Sequence, residues 1–315
     1  MKEDVLAIAP MLMTCMPALE DAYTVHRMWE MSAEERTALL ARLGPNIRAI
    51  ATDGHHGVNA ETMAACPNLE MISGFGVGYD GVDIPACKAR GIRVANTPDV
   101  LNDAVAELGL ALMLALARRI PQADQYVRQG RWPVEGMFPL SGELTGRTLG
   151  ILGLGRIGKA IAERAQAFRM RVVYHGRREQ AHQPYEYYGD LEAMAGDVDW
   201  LMVIAPATAE TEGIVSREVM TALGPEGALV NIARGALVDE PAMVELLQAG
   251  ALGGAALDVF VAEPKVPEAL FGLENVVLSP HNGSATHKTR QQMGQLVVDN
   301  LAAFFAGEPL LTPVC

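Results

Sequence analysis

Short apolar runs alternate with amphipathic stretches along most of the chain. Val5–Ala9, Ile47–Thr52, Glu70–Ser73 and Arg93–Ala95 read as strands, with helical spacing over Ala33–Leu43 and Ala60–Cys66 between them. Such alternation predicts a parallel sheet with crossover helices. The longest apolar run, Leu108–Ala117, follows Asn96-Thr97-Pro98 and is bounded by Glu107 and Arg118-Arg119, so it is too short to span a bilayer and reads as a buried helix. The Pro- and Gly-containing stretch from Gly130 to Gly146 reads as a hinge or domain boundary. A second series supplies six strands, Thr148–Leu152, Arg171–Tyr174, Trp200–Ile204, Ala228–Ile232, Gly254–Leu257 and Val276–Leu278, enough for a complete doubly wound sheet. Past Gly283, Met293, Leu296, Val297, Leu301, Phe304 and Phe305 recur at helical spacing with no further strand. This last helix is expected to bury its stripe on the N-terminal domain.

At 315 residues the chain is long enough for two cores. A net charge of -13, with no compensating basic run, argues against a nucleic-acid surface. The four cysteines, Cys15, Cys66, Cys87 and Cys315, show no CxxC or metal-like spacing and read as reduced thiols. Met1-Lys2-Glu3-Asp4 followed by a short apolar run is too short and too acidic for a signal peptide, so a cytoplasmic protein with no membrane partner is expected.

The sequence GLGRIG, comprising Gly153, Leu154, Gly155, Arg156, Ile157 and Gly158, lies between a strand and a helical pattern, which is the setting of a dinucleotide-binding loop. Gly153 permits the tight turn, Gly155 the approach of a pyrophosphate, and Gly158 close helix–strand packing. The anion then meets unpaired N–H groups at a helix N-terminus. An NAD-binding loop carries an acid at the end of its second strand; here stand Tyr174-His175-Gly176-Arg177-Arg178. The missing carboxylate and the two guanidinium groups predict a preference for NADPH, with NADH as the lesser coenzyme.

Three later segments begin where predicted strands end: NIARGALVDE from Asn231, ALDVFVAEP from Ala256 and SPHNGSAT from Ser279. Residues at the carboxyl ends of neighbouring strands can converge on one crevice. Together with GLGRIG and GFGVGYDGVD (Gly74–Asp83), these segments resemble the D-isomer-specific 2-hydroxyacid dehydrogenases over the chain from about Leu69 onward. TPDVLNDAVAELGLALMLALARRIP and the Arg177-Arg178 pair are most similar to the glyoxylate/hydroxypyruvate reductase branch and its hydroxyphenylpyruvate-reductase relatives.

The resemblance implies an NADPH-dependent reduction of a small 2-oxo acid, glyoxylate or hydroxypyruvate, to the D-2-hydroxy acid. In that scheme Arg234 offers a planar cationic fork to the carboxylate and carbonyl, His281 moves the proton, and Glu263 orients the His281 ring. Val77 and Gly78 present backbone N–H groups to the carboxylate. Cofactor contacts extend to Ala205, Pro206, Thr211, Ile232, Ala233, Asp258 and Gly283, with Asp258 toward the nicotinamide or, alternatively, a solvent-facing strand-end acid. Trp132 matches a position that in relatives reaches into a partner subunit's pocket; the alternative is a Trp closing a domain edge. The paired His55 and His56 match no specificity pattern, and no third ligand is spaced to join them at a metal.

The expected architecture is α/β, two doubly wound parallel-sheet domains, with a Rossmann cofactor domain (99–283) inserted in a flavodoxin-like substrate domain (1–98 and 284–315). Hinges are expected near Asn96–Asp99 and Gly283–Thr286. The richness of Val105–Ala117 in Leu, Met and Ala suggests a homodimer. Two other readings stand beside the reductase of small acids: an arylpyruvate or other bulky 2-oxo acid reductase, and a nicotinamide-sensing binding module like the corepressors that resemble this family.

Overall fold

The computed structural model describes residues 2–315. Its contacts divide the chain into two compact units: residues up to Leu101 together with Ser284–Cys315, and Asn102–Gly283.

The first unit contains β1 (Asp4–Ala7), β2 (Thr24–Arg27), β3 (Ala49–Asp53), β4 (Met71–Phe75) and β5 (Arg93–Ala95), all parallel, in the order β2-β1-β3-β4-β5. That is the flavodoxin-like order. Helices α1 (Met16–Ala22), α2 (Ala33–Leu43), α3 (Ala60–Ala65) and α4 (Ile84–Arg90) connect the strands. Side chains cap three of them: Ser32 in a capping box with Glu35, Asn59 and Asp83 each accept from the third N–H of their helix. Leu6, Ile50, Ile72 and Val94 from the strands pack with Leu39, Leu40, Met63 and Ile92, each full burial contributing roughly 1.5–3 kcal/mol. Strand β2 has no apolar signature, because an edge strand pairs on one side only and Thr24–Arg27 stays partly solvated.

The second unit contains β6 (Thr148–Leu152), β7 (Arg171–His175), β8 (Glu186–Tyr188), β9 (Trp200–Val203), β10 (Ala228–Asn231), β11 (Gly254–Leu257) and β12 (Val276–Leu278). These seven parallel strands lie in the order β12-β11-β10-β9-β6-β7-β8, so chain direction across the sheet reverses between β6 and β9. The central strands β9, β10 and β11 are buried at every position, as strands covered on both faces must be. Six strands were expected here; the seventh, β8, is a short edge strand of sequence EYY.

Around this sheet run α5 (Asn102–Ala117), α6 (Ile120–Arg128), α7 (Trp132–Glu135), α8 (Arg156–Ala167), α9 (Leu191–Asp197), α10 (Arg217–Leu223) and α11 (Glu240–Gln248). The Gly130–Gly146 stretch is no boundary between units. It lies inside the second one, held where Tyr126 Oη donates to Gly136 O (3.0 Å), Arg118 Nε to Ser141 Oγ (3.1 Å) and Gly142 N to Ala117 O (2.9 Å). The apolar face of α5 is also spent internally: Val105, Ala106, Gly109, Leu110, Leu112 and Met113 are buried. A Cβ on Gly109 would stand 2.9 Å from Ile232 Cδ1, which shows how closely α5 lies on the sheet.

The closing helix α12 (His287–Ala306) returns to the first unit, packs on β4, and accepts a hydrogen bond from Ser73 Oγ at Val297 O (3.2 Å). The tail beyond it pairs with β5 through Val314 N to Val94 O (2.7 Å) and Val94 N to Cys315 O (3.1 Å). All four cysteines are free thiols; burial pushes Cys15 up to about 12 and Cys66 and Cys87 up to about 11, so these three stay protonated and unreactive. Among the described residues, no helix is long and apolar enough to cross a membrane.

Candidate active site

Because all strands of the second sheet are parallel, the loops that leave their carboxyl ends emerge along one edge. Arg234 follows β10, Glu263 follows β11 and His281 follows β12, three neighbouring strands. At the end of β10 the buried Asn231 side chain folds the chain back on itself, accepting from Ala233 N (3.1 Å) and donating to Arg234 O (2.9 Å). The half-buried Arg234 guanidinium donates from Nη1 to Ala233 O (2.7 Å). Gly235 is required by packing: a Cβ there would lie 2.1 Å from the Phe260 carbonyl carbon, so only glycine lets the Arg234 loop lie against the segment leading to Glu263.

Glu263 and His281 meet directly. One carboxylate oxygen of Glu263 accepts from Phe260 N (3.0 Å), and the other is 2.6 Å from His281 Nδ1. Held at both oxygens, the carboxylate fixes the ring plane and assigns Nδ1 the donor role, which leaves Nε2 for other work. Glu263 is the more buried of the pair, at 19% side-chain exposure against 43% for the histidine.

His281 adopts a left-handed backbone conformation (φ 53°), unusual for a residue with a Cβ. Asp258 is the reason it is held there. Its carboxylate accepts from Ser279 Oγ (2.6 Å), Asn282 N (2.7 Å) and Gly283 N (2.8 Å), and its carbonyl accepts from His281 N (2.8 Å). At 1% exposure Asp258 is no solvent-facing strand-end acid; it is the buried anchor of the His281 loop. Gly283, itself buried, is one of its donors.

Across the reversal point, GLGRIG leaves β6. Gly153 has φ 105°, and a Cβ on it would meet Ala205 at 2.8 Å; a Cβ on Gly158 would meet Gly153 O at 2.3 Å. Both positions are therefore glycine by necessity. Gly155 differs, since its Cβ would meet nothing within 4 Å, and as N-cap of α8 it supplies no side-chain hydrogen bond. Helices α9, α10, α11 and α12 are capped by Asp190, Ser216, Asp239 and Thr286, whereas the first turn of α8 presents N–H groups beside a loop without side chains at Gly153 and Gly155. That arrangement fits a dinucleotide pyrophosphate. Leu154 completes the loop, and Arg156 and Ile157 open α8; Ala205 and Pro206 follow β9; Thr211 Oγ1 donates to Pro206 O (2.8 Å) and braces that turn; Ile232 and Ala233 are buried.

At the end of β7, His175 Nδ1 lies 2.8 Å from Tyr188 O. Arg177 and Arg178 are exposed, and among the described residues neither has an ion-pair or hydrogen-bond partner. Gly176 has neither positive φ nor a neighbour within 4 Å of an added Cβ, so its lack of a side chain is not demanded by the fold. From β11 to β7 there are four strand spacings of about 4.8 Å, about 19 Å in all. The Glu263–His281 pair and the arginine pair thus lie on opposite sides of the glycine loop along the sheet edge.

The first unit has its own loop cluster at the carboxyl ends of β3 and β4. Thr97 Oγ1 accepts from Gly76 N (2.9 Å) and Asn96 Nδ2 donates to Val77 O (2.8 Å), while the N–H groups of Val77 and Gly78 donate to nothing among the described residues. Asp53 caps the turn beside it, accepting from His55 N (3.0 Å), His56 N (2.7 Å) and the His56 ring (3.0 Å). A Cβ on Gly54 would stand 2.2 Å from Gly78 O, so the two loops touch backbone to backbone. Among the described residues, no group of three potential ligands is placed to hold a metal. Sequence reasoning missed Arg290, whose guanidinium lies 5.5 Å from the Phe75 ring centroid; burial lowers its pKa and Asp53 opposes that shift. Only the three-dimensional approach of α12 to β4 reveals it. Trp132 stands exposed on the short helix α7 of the second unit.

Comparison with known proteins agrees with this geometry. Residues 110–283 match the model of the D-isomer specific 2-hydroxyacid dehydrogenase NAD-binding domain. The chain is 49% identical to a hydroxyphenylpyruvate reductase of Plectranthus scutellarioides and 47% identical to a glyoxylate/hydroxypyruvate reductase of Arabidopsis thaliana, covering 98% of both chains in each comparison. Among solved structures it is similar to a 2-hydroxyacid dehydrogenase from Ketogulonicigenium vulgare (TM-score 0.93, 48% identity, 100% of this chain and 98% of that one). It is likewise similar to an NADPH-dependent glyoxylate/hydroxypyruvate reductase from Sinorhizobium meliloti in complex with NADP and malonate (0.91, 43%, 100% and 97%).

The Asp258 anchor generates a stability prediction. Asp258→Asn replaces one acceptor oxygen by an N–H donor that faces existing donors, so at least one buried N–H or O–H loses its partner. The expected cost is about 1–3 kcal/mol, read as a lower urea midpoint with an unchanged slope. A midpoint equal to the parent's refutes the anchoring role.

Proposed function

This chain belongs to the D-isomer-specific 2-hydroxyacid dehydrogenase family, in its glyoxylate/hydroxypyruvate reductase branch, and from that premise we propose that it reduces glyoxylate or hydroxypyruvate to the D-2-hydroxy acid with NADPH. The 2.6 Å contact between His281 Nδ1 and a doubly held Glu263 carries this reading, because it is the arrangement a proton donor needs. A nicotinamide coenzyme, held by the GLGRIG loop and the first turn of α8, would supply the hydride for the carbonyl carbon. His281, carrying protons on both nitrogens with its charge balanced by Glu263, gives the proton on Nε2 to the carbonyl oxygen, and in the reverse direction takes it back. Arg234 holds the substrate carboxylate with a two-pronged contact that a point charge cannot make.

The 49% identity to a protein named hydroxyphenylpyruvate reductase supports arylpyruvates as the second substrate reading. A kinetic panel of glyoxylate, hydroxypyruvate and hydroxyphenylpyruvate, followed by nicotinamide absorbance, separates the two. Coenzyme binding without turnover on any of them speaks for a nicotinamide-sensing module instead.

His281→Gln should lower kcat on the preferred acid by a factor on the order of a hundred or more while leaving coenzyme affinity unchanged. Near-parental turnover removes His281 from the mechanism.

The coenzyme assignment rests on the unpaired Arg177 and Arg178 and on the open space at Gly176. A tenfold preference for NADPH in kcat/KM needs only about 1.4 kcal/mol, within reach of two exposed contacts of about 1 kcal/mol or less each. The preference should shrink with added salt. A Cβ at position 176 meets nothing within 4 Å, and Gly176→Asp should lower the NADPH-to-NADH ratio of kcat/KM by more than tenfold through repulsion of the 2′-phosphate. A parent enzyme preferring NADH sinks the assignment.

A homodimer remains part of the proposal, but on a different surface from α5. Ile120, Val127, Trp132, Val134, Met137 and Leu140 are all exposed within a short span of the second unit, Leu140 at 90%. A second copy covering this surface accounts for so many solvent-facing apolar side chains. Sedimentation at micromolar concentration should give twice the mass of the 33.7 kDa chain, and Val134→Asp with Leu140→Asp should give one mass; a monomeric parent ends the reading.

A further inference from the structure

The arginine-bearing turn is tied down at three points. It is anchored at its start, where Tyr187 Oη donates to Gly176 O (3.1 Å), and at its end, where Gln180 N donates to Tyr174 Oη (2.7 Å). Tyr174 is fully buried and its ring packs against that of Tyr187, with centroids 5.3 Å apart, so both hydroxyls are fixed points. The Gln180 side chain adds a third tie: Nε2 donates to Leu154 O (2.8 Å), the carbonyl between the first two glycines of GLGRIG. One amide therefore couples the turn bearing the two arginines to the loop proposed to carry the pyrophosphate.

Building on the NADPH reading, we propose that Gln180 is a positioning residue for coenzyme selection, bracing residues 176–180 against the glycine loop so that Arg177 and Arg178 are held where the 2′-phosphate arrives. The turn is preorganised for the phosphate. Two exposed guanidinium groups gain little from a phosphate if their backbone must first be ordered, and three hydrogen bonds remove that ordering cost in advance. The effect is selective, because the glycine loop does not need Gln180. Gly153 N donates to His175 O (3.0 Å), and the crowding of Gly153 against Ala205 and of Gly158 against Gly153 O holds that loop without it. Loss of Gln180 therefore loosens the arginines and not the pyrophosphate cradle, and the two coenzymes differ only at the 2′-phosphate.

Gln180→Met keeps length and volume and deletes the amide. The expected result is a KM for NADPH raised about five- to tenfold, a KM for NADH within about twofold of the parent, and an unchanged kcat with saturating NADPH. Tyr187→Phe, which frees the other end of the turn, should shift the same ratio in the same direction. Equal movement of both KM values marks a merely structural role and overturns the proposal, as does no movement of either. A parent that prefers NADPH while both variants keep its ratio overturns this inference alone; a parent that prefers NADH overturns it together with the coenzyme reading beneath it.

Discussion

Parallel strand direction in the second sheet is the constraint on which everything else depends. Seven strands running the same way put every loop that follows a strand on one edge, and the reversal of order between β6 and β9 opens the edge beside the glycine loop. The continuous burial of β9, β10 and β11 makes that direction costly to change, since each strand is covered on both faces and has no solvated side to turn outward. The Glu263–His281 contact on one side of the reversal and the Arg177-Arg178 turn on the other follow from strand order.

On that edge, precision comes from buried acceptors and from close backbone packing. Asp258 and Asn231 each organise a turn by accepting from the main chain, and both are almost wholly removed from water. A buried carboxylate is tolerable because its oxygens are matched to donors, and the match also specifies the left-handed conformation of His281. Gly235 and Gly158 act in the opposite way, by having no side chain where another segment's carbonyl passes. The exposed His281 is thus held by groups that are almost wholly buried.

The arginine turn is built on a different principle. In a chain of net charge -13 most guanidinium groups in the second unit have carboxylate partners, as Arg147 has Asp199 and Arg164 has Asp103, whereas Arg177 and Arg178 have none among the described residues. Their backbone, not their side chains, is what the fold secures. Fixed backbone with free cationic ends suits an anion that comes and goes.

The sequence by itself determined the strand series, the glycine loop and the order of the chemical segments, because buried parallel strands are unbroken apolar runs and a glycine loop is a local device read from consecutive residues. The bounds of β5, β6, β11 and β12 are as the pattern predicts. Edge strands β2 and β8 were not legible, since half-solvated positions carry polar residues and leave no run. Nor was the Gly130–Gly146 stretch, whose Pro and Gly content signals irregular backbone but not where that backbone packs. Only the tertiary structure decided that Asp258 serves the His281 loop, that α5 spends its apolar face at home, that Arg290 lies over Phe75, and that Gln180 reaches the glycine loop. Each of these is a contact between segments far apart in the chain. Such contacts depend on which strands are neighbours, and periodicity along one strand contains no record of that.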